Sequence, residues 1–110
     1  MNRWGIPGWL EQAVIQRDQQ YIYCGADFSA ALLTRKNKPS WEHVVNDARI
    51  VTIRNIARCC IACNASKGTK DLATWLEGDY CKRRGISEAC IADVARQALR
   101  NPPRHSTIPG

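Results

Sequence analysis

Apolar residues recur at helical spacing near the start of the chain. The stripe consists of Trp9, Leu10, Ala13, Val14 and Arg17. It follows Pro7, a residue well suited to the first turn of a helix. The spacing predicts an amphipathic helix over about residues 8–19, which we expect to pack one face against the rest of the domain.

The middle of the chain alternates with the period of a strand. Trp41, His43 and Val45 fall on one face of a predicted β-strand. After a loop, a second short strand is predicted over about residues 56–59. A helix opens directly behind it and stops at Gly68, because glycine readily ends a helix. The pattern therefore predicts a β-strand, β-strand, helix unit.

Two further helical patterns follow. One covers about residues 71–82, and its apolar positions are Leu72, Trp75, Leu76 and Tyr80. The other covers about residues 88–100, with Ser87 as its cap and a buried stripe of Ile91, Val94, Ala95, Ala98 and Leu99. Together with the strands these helices predict an α+β fold, in which several packing helices flank a small hairpin-helix core.

The length of the chain, 110 residues, is that of one domain. We expect this domain to cover residues 1–101. Residues 102–110 hold three of the five prolines and no apolar period, so they are predicted to form a flexible tail.

The chain has an excess of positive charge. It contains 16 Lys and Arg against 10 Asp and Glu, a formal charge of +6. This positive charge favours binding to polyanions, and nucleic acid is the first candidate. The basic cluster Arg35, Lys36 and Lys38 is predicted to lie in a loop, where it either tracks a phosphate backbone or is solvated surface charge.

The sequence also bears on location and redox state. No apolar run approaches the roughly 18 to 20 residues of a membrane span, and the N-terminus lacks the apolar core of a secretory signal. We therefore expect a soluble cytoplasmic protein without a membrane partner. The six cysteines are then better explained as reduced thiols or metal ligands than as disulfides. Cys81 and Cys90 are predicted to be small buried hydrophobes.

One stretch concentrates the chemistry. Residues 40–68 read SWEHVVNDARIVTIRNIARCCIACNASKG and contain the pair Glu42 and His43, then Asn55, then Asn64 behind a Cys-x-x-Cys pair. This order, at these spacings, resembles the metal-dependent nuclease motif of the HNH endonucleases. The fold that the resemblance implies is a small ββα-metal core flanked by packing helices. The activity that it implies is hydrolysis of DNA phosphodiester bonds.

The resemblance implies a role for each residue of the motif. His43 matches the general base, and an imidazole with a pKa near 6.5 can take a proton from water at neutral pH. Asn55 matches the residue that hydrogen-bonds across the hairpin to hold the histidine segment. Glu42 and Asn64 match the ligands of one divalent metal, and oxygen ligands suit magnesium or manganese.

Two details of the motif qualify these roles. Glu42 stands where the family often has Asp, one methylene shorter. Adjacent strand residues also point to opposite faces, so Glu42 and His43 need a twist or bulge to serve one site.

By resemblance, Lys67 and Lys70 contact the nucleic-acid backbone; the alternative is that both are solvated charges on the helix. We expect weak or structure-directed specificity unless a homodimer or another protein supplies sequence specificity.

A structural zinc site in this family uses four thiolates. This chain offers Cys24, Cys60 and Cys63 and places Tyr21 in the remaining position. Either Cys59 or a water completes a weakened tetrahedron, or the zinc is lost and Tyr21 packs against the thiols. The flanking helices look sufficient to offset a lost zinc, so we expect the fold to tolerate strong chelators.

Two other functions remain to be weighed. One is a non-catalytic, zinc-knuckle-like DNA-binding module, against which the intact Glu42, His43 and Asn64 argue. The other is a thiol-redox protein that uses Cys60-x-x-Cys63, which is weak because the flanking βαβ pattern is absent.

Overall fold

The computed structural model describes residues 5–25 and 38–104 of the chain. Across these residues the fold is α+β, as predicted, with one two-stranded antiparallel hairpin and five helices. The elements are α1 (Gly8–Arg17), β1 (Pro39–His43), β2 (Ile56–Cys60), α2 (Ile61–Lys67), α3 (Leu72–Leu76), α4 (Asp79–Arg84) and α5 (Asp93–Arg100). None of the helices in this part of the chain is long and apolar enough to cross a membrane.

The hairpin pairs all five residues of each strand without a break in register. Ser40 lies opposite Cys59, Glu42 opposite Ala57, and His43 opposite Ile56. Because residues that face each other across the strands share a side of the sheet, Glu42 and Cys59 lie on one face and His43 on the other. The bulge that would bring Glu42 and His43 to one face is not present between residues 39 and 43.

Helix α1 covers the face of the hairpin that carries His43. Leu10 and Val14 form a small core with Ile6 and Ile56, and Trp41 packs against it from β1. This core confirms the predicted packing role of α1. The predicted stripe was wrong at Trp9, which is 69% exposed, because one buried apolar position per turn, at Leu10 and Val14, suffices for a helix that covers so small a sheet.

Arg17 fixes the end of α1 to the start of β2. Its guanidinium pairs with Asp18 at 2.7 Å and donates hydrogen bonds to the backbone carbonyls of Ile53 and Ile56. The Asp18 carboxylate in turn accepts the backbone N–H of Arg58 at 3.0 Å. The ion pair of Arg17 and Asp18 therefore fixes the C-terminal end of α1, beyond the last buried apolar residue of the helix.

The larger core lies on the Glu42 face of the hairpin and beyond it. It is built from the turn over residues 21–25, which we call the knuckle turn, from β2 and α2, and from the C-terminal helices. Its bulkiest members are Tyr21, Tyr23 and Trp75. Tyr23 and Trp75 meet edge to face, with ring centroids 4.9 Å apart. This core positions the knuckle turn against the hairpin and α2.

The helix predicted over residues 71–82 is broken into α3 and α4. Glu77 and Gly78 close the end of α3 by donating to the Thr74 and Trp75 carbonyls at 3.2 and 3.0 Å. Gly78 is then extended, with ψ of 169°. A Cβ at this position would come within 3.2 Å of the Trp75 carbonyl oxygen, so glycine permits the tight corner.

The last helix begins at Asp93, later than predicted. Residues 88–91 form a turn in which Ser87 O accepts the N–H groups of Cys90 and Ile91. Ala92 donates its N–H to Ile22 O at 2.8 Å, so a tertiary hydrogen bond fixes where the helix starts. Cys81 is buried as predicted, whereas Cys90 is exposed.

The beginning of the predicted tail is also described. Pro103 is buried, and the Asn101 carbonyl accepts a hydrogen bond from Arg54 at 3.2 Å. Pro103 is therefore packed against the domain, whereas Pro102 and Arg104 are exposed. Residues 105–110 are outside the described part of the chain.

Candidate active site and thiol cluster

His43 lies at the end of β1 and is half-buried. Its Nε2 atom is buried and has no hydrogen-bond partner among the residues that the structure describes. Burial lowers the pKa of His43 below its ordinary value of 6.5, and the positive charge of Lys67 lowers it further. The carboxylates of Glu42 and Asp47 act in the opposite direction without reversing the shift. At neutral pH the imidazole is therefore uncharged and able to accept a proton.

Asn55 holds the loop that follows His43. Its Oδ1 accepts the backbone N–H of Val45 at 2.7 Å. Its Nδ2 donates to the carbonyls of Val45 and Ile50 at 3.1 and 3.0 Å. Asn55 is fully buried, and its own carbonyl accepts the N–H of Val44 at 3.0 Å. The side chain thus makes the cross-hairpin contact that the resemblance implies.

Glu42 is buried on the other face of the hairpin. Its Oε2 accepts a hydrogen bond from the Tyr23 hydroxyl at 2.6 Å and lies 3.2 Å from Lys67 Nζ. Burial and the neighbouring carboxylate raise the pKa of Tyr23 well above 10, so this hydroxyl remains a donor. A carboxylate inside a protein needs such partners to stay ionised. Sequence reasoning missed both partners of Glu42.

Lys67 was predicted to contact phosphate, but its side chain is only 1% exposed. Its Nζ sits against Glu42 and within 3.5 Å of the His43 carbonyl. In this arrangement its ammonium neutralises the carboxylate from within the domain. The lysine follows Asn64 by three residues, one helical turn, and this spacing on α2 was the available signal that both face the hairpin.

Asn64 lies on α2 and faces β1. Its Nδ2 donates to Ser40 Oγ at 2.7 Å and approaches the Trp41 carbonyl at 3.4 Å. The two predicted metal ligands, Glu42 and Asn64, therefore lie on the same side of the hairpin. Their donor types suit a hard divalent ion. The position beside Glu42 Oε2, however, holds the Lys67 ammonium.

The remaining predicted phosphate contacts lie at different places. Lys38 and Lys70 are exposed, and Lys70 Nζ donates to the Ser66 carbonyl at 3.1 Å. Arg35 and Lys36 lie outside the described residues. The exposed lysines flank β1 and the end of α2, the two elements that carry His43 and Asn64.

Three thiols meet where the knuckle turn reaches the start of α2. The sulfur atoms of Cys24, Cys60 and Cys63 all lie within 4.8 Å of one another, with 3.9 Å between Cys24 and Cys60. Contacts with the other two thiols, and the backbone N–H of Cys63 at 3.3 Å, lower the pKa of Cys60. The Tyr80 hydroxyl donates to Cys63 Sγ at 3.4 Å. We call these three side chains the thiol cluster.

The fourth position of the knuckle belongs to Tyr21. The turn itself is intact, because the Gly25 N–H reaches the Tyr21 carbonyl at 2.9 Å and Gly25 has a φ of +75°. Tyr21 is buried in the core beside the cluster. Cys59, the other candidate fourth ligand, lies opposite Ser40 on the Glu42 face of the hairpin. It is not part of the thiol cluster.

Comparisons with known proteins leave the site to be argued from its own geometry. No family model, curated protein or solved structure matches this chain. The likeness to HNH endonucleases therefore depends on the ordered residues of the stretch 40–68. The structure places these residues on one hairpin and the helix that continues it.

Proposed function

We propose that this chain is a metal-dependent endonuclease that hydrolyses DNA phosphodiester bonds. The observation that carries the proposal is His43, a half-buried imidazole whose Nε2 has no partner among the described residues. A buried polar atom without a hydrogen bond is costly, and such atoms are often retained for chemistry. Here the atom is a proton acceptor on a fixed hairpin.

His43 has the properties of a general base. Burial keeps its pKa below 6.5, so the imidazole is uncharged at pH 7 and can accept a proton once a water molecule reaches it. Asn55 restrains the backbone that follows, and the paired strand restrains the backbone before it. A base held in this way can lower the barrier through orientation as well as through proton transfer.

Glu42 and Asn64 would hold the divalent metal, magnesium or manganese. Because His43 lies on the other face of the hairpin, the end of β1 has to twist before His43 can serve the same site. When bound, such an ion neutralises charge on the phosphate and stabilises the departing oxygen. Lys67 has to withdraw from Glu42 Oε2 before a second cation can approach that atom, because two positive charges at contact distance repel strongly. A lysine released from this pair would be free to contact phosphate, the role that the sequence suggested for it.

DNA as the substrate is supported by charge. The chain has a formal charge of +6, and Lys38 and Lys70 lie exposed beside the elements that carry the site. Basic side chains near a hydrolytic site neutralise backbone phosphates and fix their register.

A second function has an observation in its favour. Glu42 is already neutralised by Lys67 and hydrogen-bonded by Tyr23, so its site is complete without a metal. A DNA-binding module without catalysis would need no more than this. The same experiment separates the two functions.

The test is cleavage of supercoiled plasmid with magnesium, with manganese and with EDTA. We expect nicked or linear product only with a divalent ion. His43→Ala should lower the cleavage rate by about 10²- to 10⁴-fold and leave DNA affinity nearly unchanged. The matched control is His105→Ala, which changes the other histidine of the chain. Asn64→Ala should raise the metal concentration that half-maximal cleavage requires.

Three results would count against the nuclease. Cleavage by His43→Ala at the parent rate would remove His43 as the base. Equal cleavage in EDTA would remove the metal. DNA binding without cleavage under every metal condition would leave the non-catalytic module as the better explanation.

A further inference from the structure

We propose that the thiol cluster holds one zinc ion whose fourth coordination position is open to a small exogenous ligand. Cys24, Cys60 and Cys63 supply the three protein ligands. The proposal concerns a different site from the hydrolytic one and does not depend on nuclease activity.

The spacing of the sulfurs fits a metal better than a disulfide. Zinc–thiolate bonds of about 2.3 Å place the sulfurs of a tetrahedral site about 3.8 Å apart. Cys24 and Cys60 are 3.9 Å apart, and all three sulfurs lie within 4.8 Å. None of the three cysteines forms a disulfide. Soft sulfur donors select zinc over the magnesium or manganese proposed for the hydrolytic site.

The surroundings of the cluster are those of a built site. The N–H of Cys63 points at Cys60 Sγ, and the Tyr80 hydroxyl points at Cys63 Sγ. Hydrogen bonds of this kind orient ligands and stabilise thiolates. Arg84 in turn lies 4.3 Å above the Tyr80 ring, which restrains the tyrosine. Two of the three sulfurs therefore accept hydrogen bonds, one from the backbone of α2 and one from Tyr80.

The fourth position has no thiolate to fill it. Tyr21 occupies the place of a fourth cysteine, and a phenol is not among the usual zinc donors. Cys59 lies on the other face of β2. Cys60 and Cys63 are buried, whereas Cys24 is exposed, so solvent reaches the cluster from the Cys24 side. Three protein ligands with one accessible position is the arrangement of zinc sites that bind an exogenous ligand.

The experiment is a titration of the reduced, metal-free protein with cobalt(II), an absorbing substitute for zinc. The charge-transfer band counts thiolates, and the d–d bands report the fourth ligand. We expect one cobalt per chain and a charge-transfer intensity about three quarters of that of Tyr21→Cys, which completes four thiolates. Zinc should displace the cobalt.

Added imidazole then probes the fourth position. It should shift the d–d bands of the parent protein and of Tyr21→Phe, and leave those of Tyr21→Cys unchanged. Cys24→Ser should weaken metal binding by more than about tenfold, the loss that even an outer-shell change can cause. The matched control is Cys90→Ser, because Cys90 is exposed and outside the cluster.

Two further variants test whether a side chain outside the described residues supplies the fourth ligand. Asp27→Asn and His105→Ala should retain both the spectrum and its response to imidazole. A change in either variant would show a fourth protein ligand and overturn the open position. So would parent bands that do not respond to imidazole. Binding of clearly less than one cobalt per chain would overturn the site itself.

Discussion

Removal of one partner of the buried pair Glu42 and Lys67 tests whether this ion pair is desolvated and stabilises the fold. Lys67→Met keeps the length of the side chain but removes its charge, and leaves a carboxylate whose hydrogen-bond partner is the Tyr23 hydroxyl. Loss of one partner from a buried ion pair typically costs about 3 to 5 kcal/mol. The variant can limit this cost by taking up a proton. Protonating a freely solvated glutamate at pH 7 costs about 3.7 kcal/mol, so we expect a loss of roughly that size.

Proton uptake by the folded variant also makes its stability depend on pH. Folded Lys67→Met would bind one proton that the unfolded chain releases at neutral pH. Its stability relative to the parent protein should therefore fall as pH rises, by about 1.4 kcal/mol per unit above roughly pH 5. Urea denaturation of both proteins at several pH values between 5 and 8 measures this difference. The double variant with Glu42→Gln should recover most of the loss, since no uncompensated charge then remains.

Lys70→Met is the matched control, because Lys70 is exposed near the end of the same helix. We expect it to change stability by no more than about 0.5 kcal/mol. A cost of less than about 1 kcal/mol for Lys67→Met, or a cost that did not vary with pH, would contradict this prediction. Either result would mean that the pair is solvated or that Glu42 has other partners.

Three further outcomes follow from the site. Asn55→Ala removes three hydrogen bonds of a buried side chain and should cost about 2 to 4 kcal/mol in urea denaturation; a loss below 1 kcal/mol would contradict its positioning role. The cleavage rate should rise with pH along a limb centred below 6.5 and level off above it, because burial lowers the pKa of His43; a limb centred above pH 7 would contradict this. The logarithm of the DNA-binding constant should fall linearly with the logarithm of the salt concentration, with a slope of about −0.9 per phosphate contact. Lys38→Ala and Lys70→Ala should each make this slope shallower by about one, and an unchanged slope would mean that the lysine is solvated and contacts no phosphate.

The hairpin and the helix behind it could be predicted because their signals are local. A period of two changes to a helical period at Cys60, and Gly68 ends the helix with a φ of +52°. The Cys-x-x-Cys spacing alone turns Cys63 back toward the strand end. The cross-hairpin role of Asn55 came from the resemblance, and the structure shows the contacts that it requires.

The environment of Glu42 could not be predicted, because it is made by contacts distant in sequence. Tyr23 reaches the carboxylate from 19 residues away, and Lys67 reaches it from the far end of α2. The start of α5 has a similar cause, since Ala92 gives its N–H to Ile22 O. The spacing on α2 indicates that Lys67 faces the hairpin, but no residue next to Glu42 or Ala92 in the sequence identifies the partner that each one meets. The corner at Gly78 did have a local signal, but an isolated glycine is also tolerated within helices.

The absence of a linker between β2 and α2 constrains how this chain can vary in length. Cys60 is both the last residue of the strand and the N-cap of the helix. One residue inserted after it would rotate the whole helix by about 100°. Cys63, Asn64 and Lys67 would then leave the thiol cluster, β1 and Glu42 together. Homologous chains can therefore differ in the length of the loop between the strands. The junction between β2 and α2, however, has to keep its length if the thiol cluster or the candidate active site is to form.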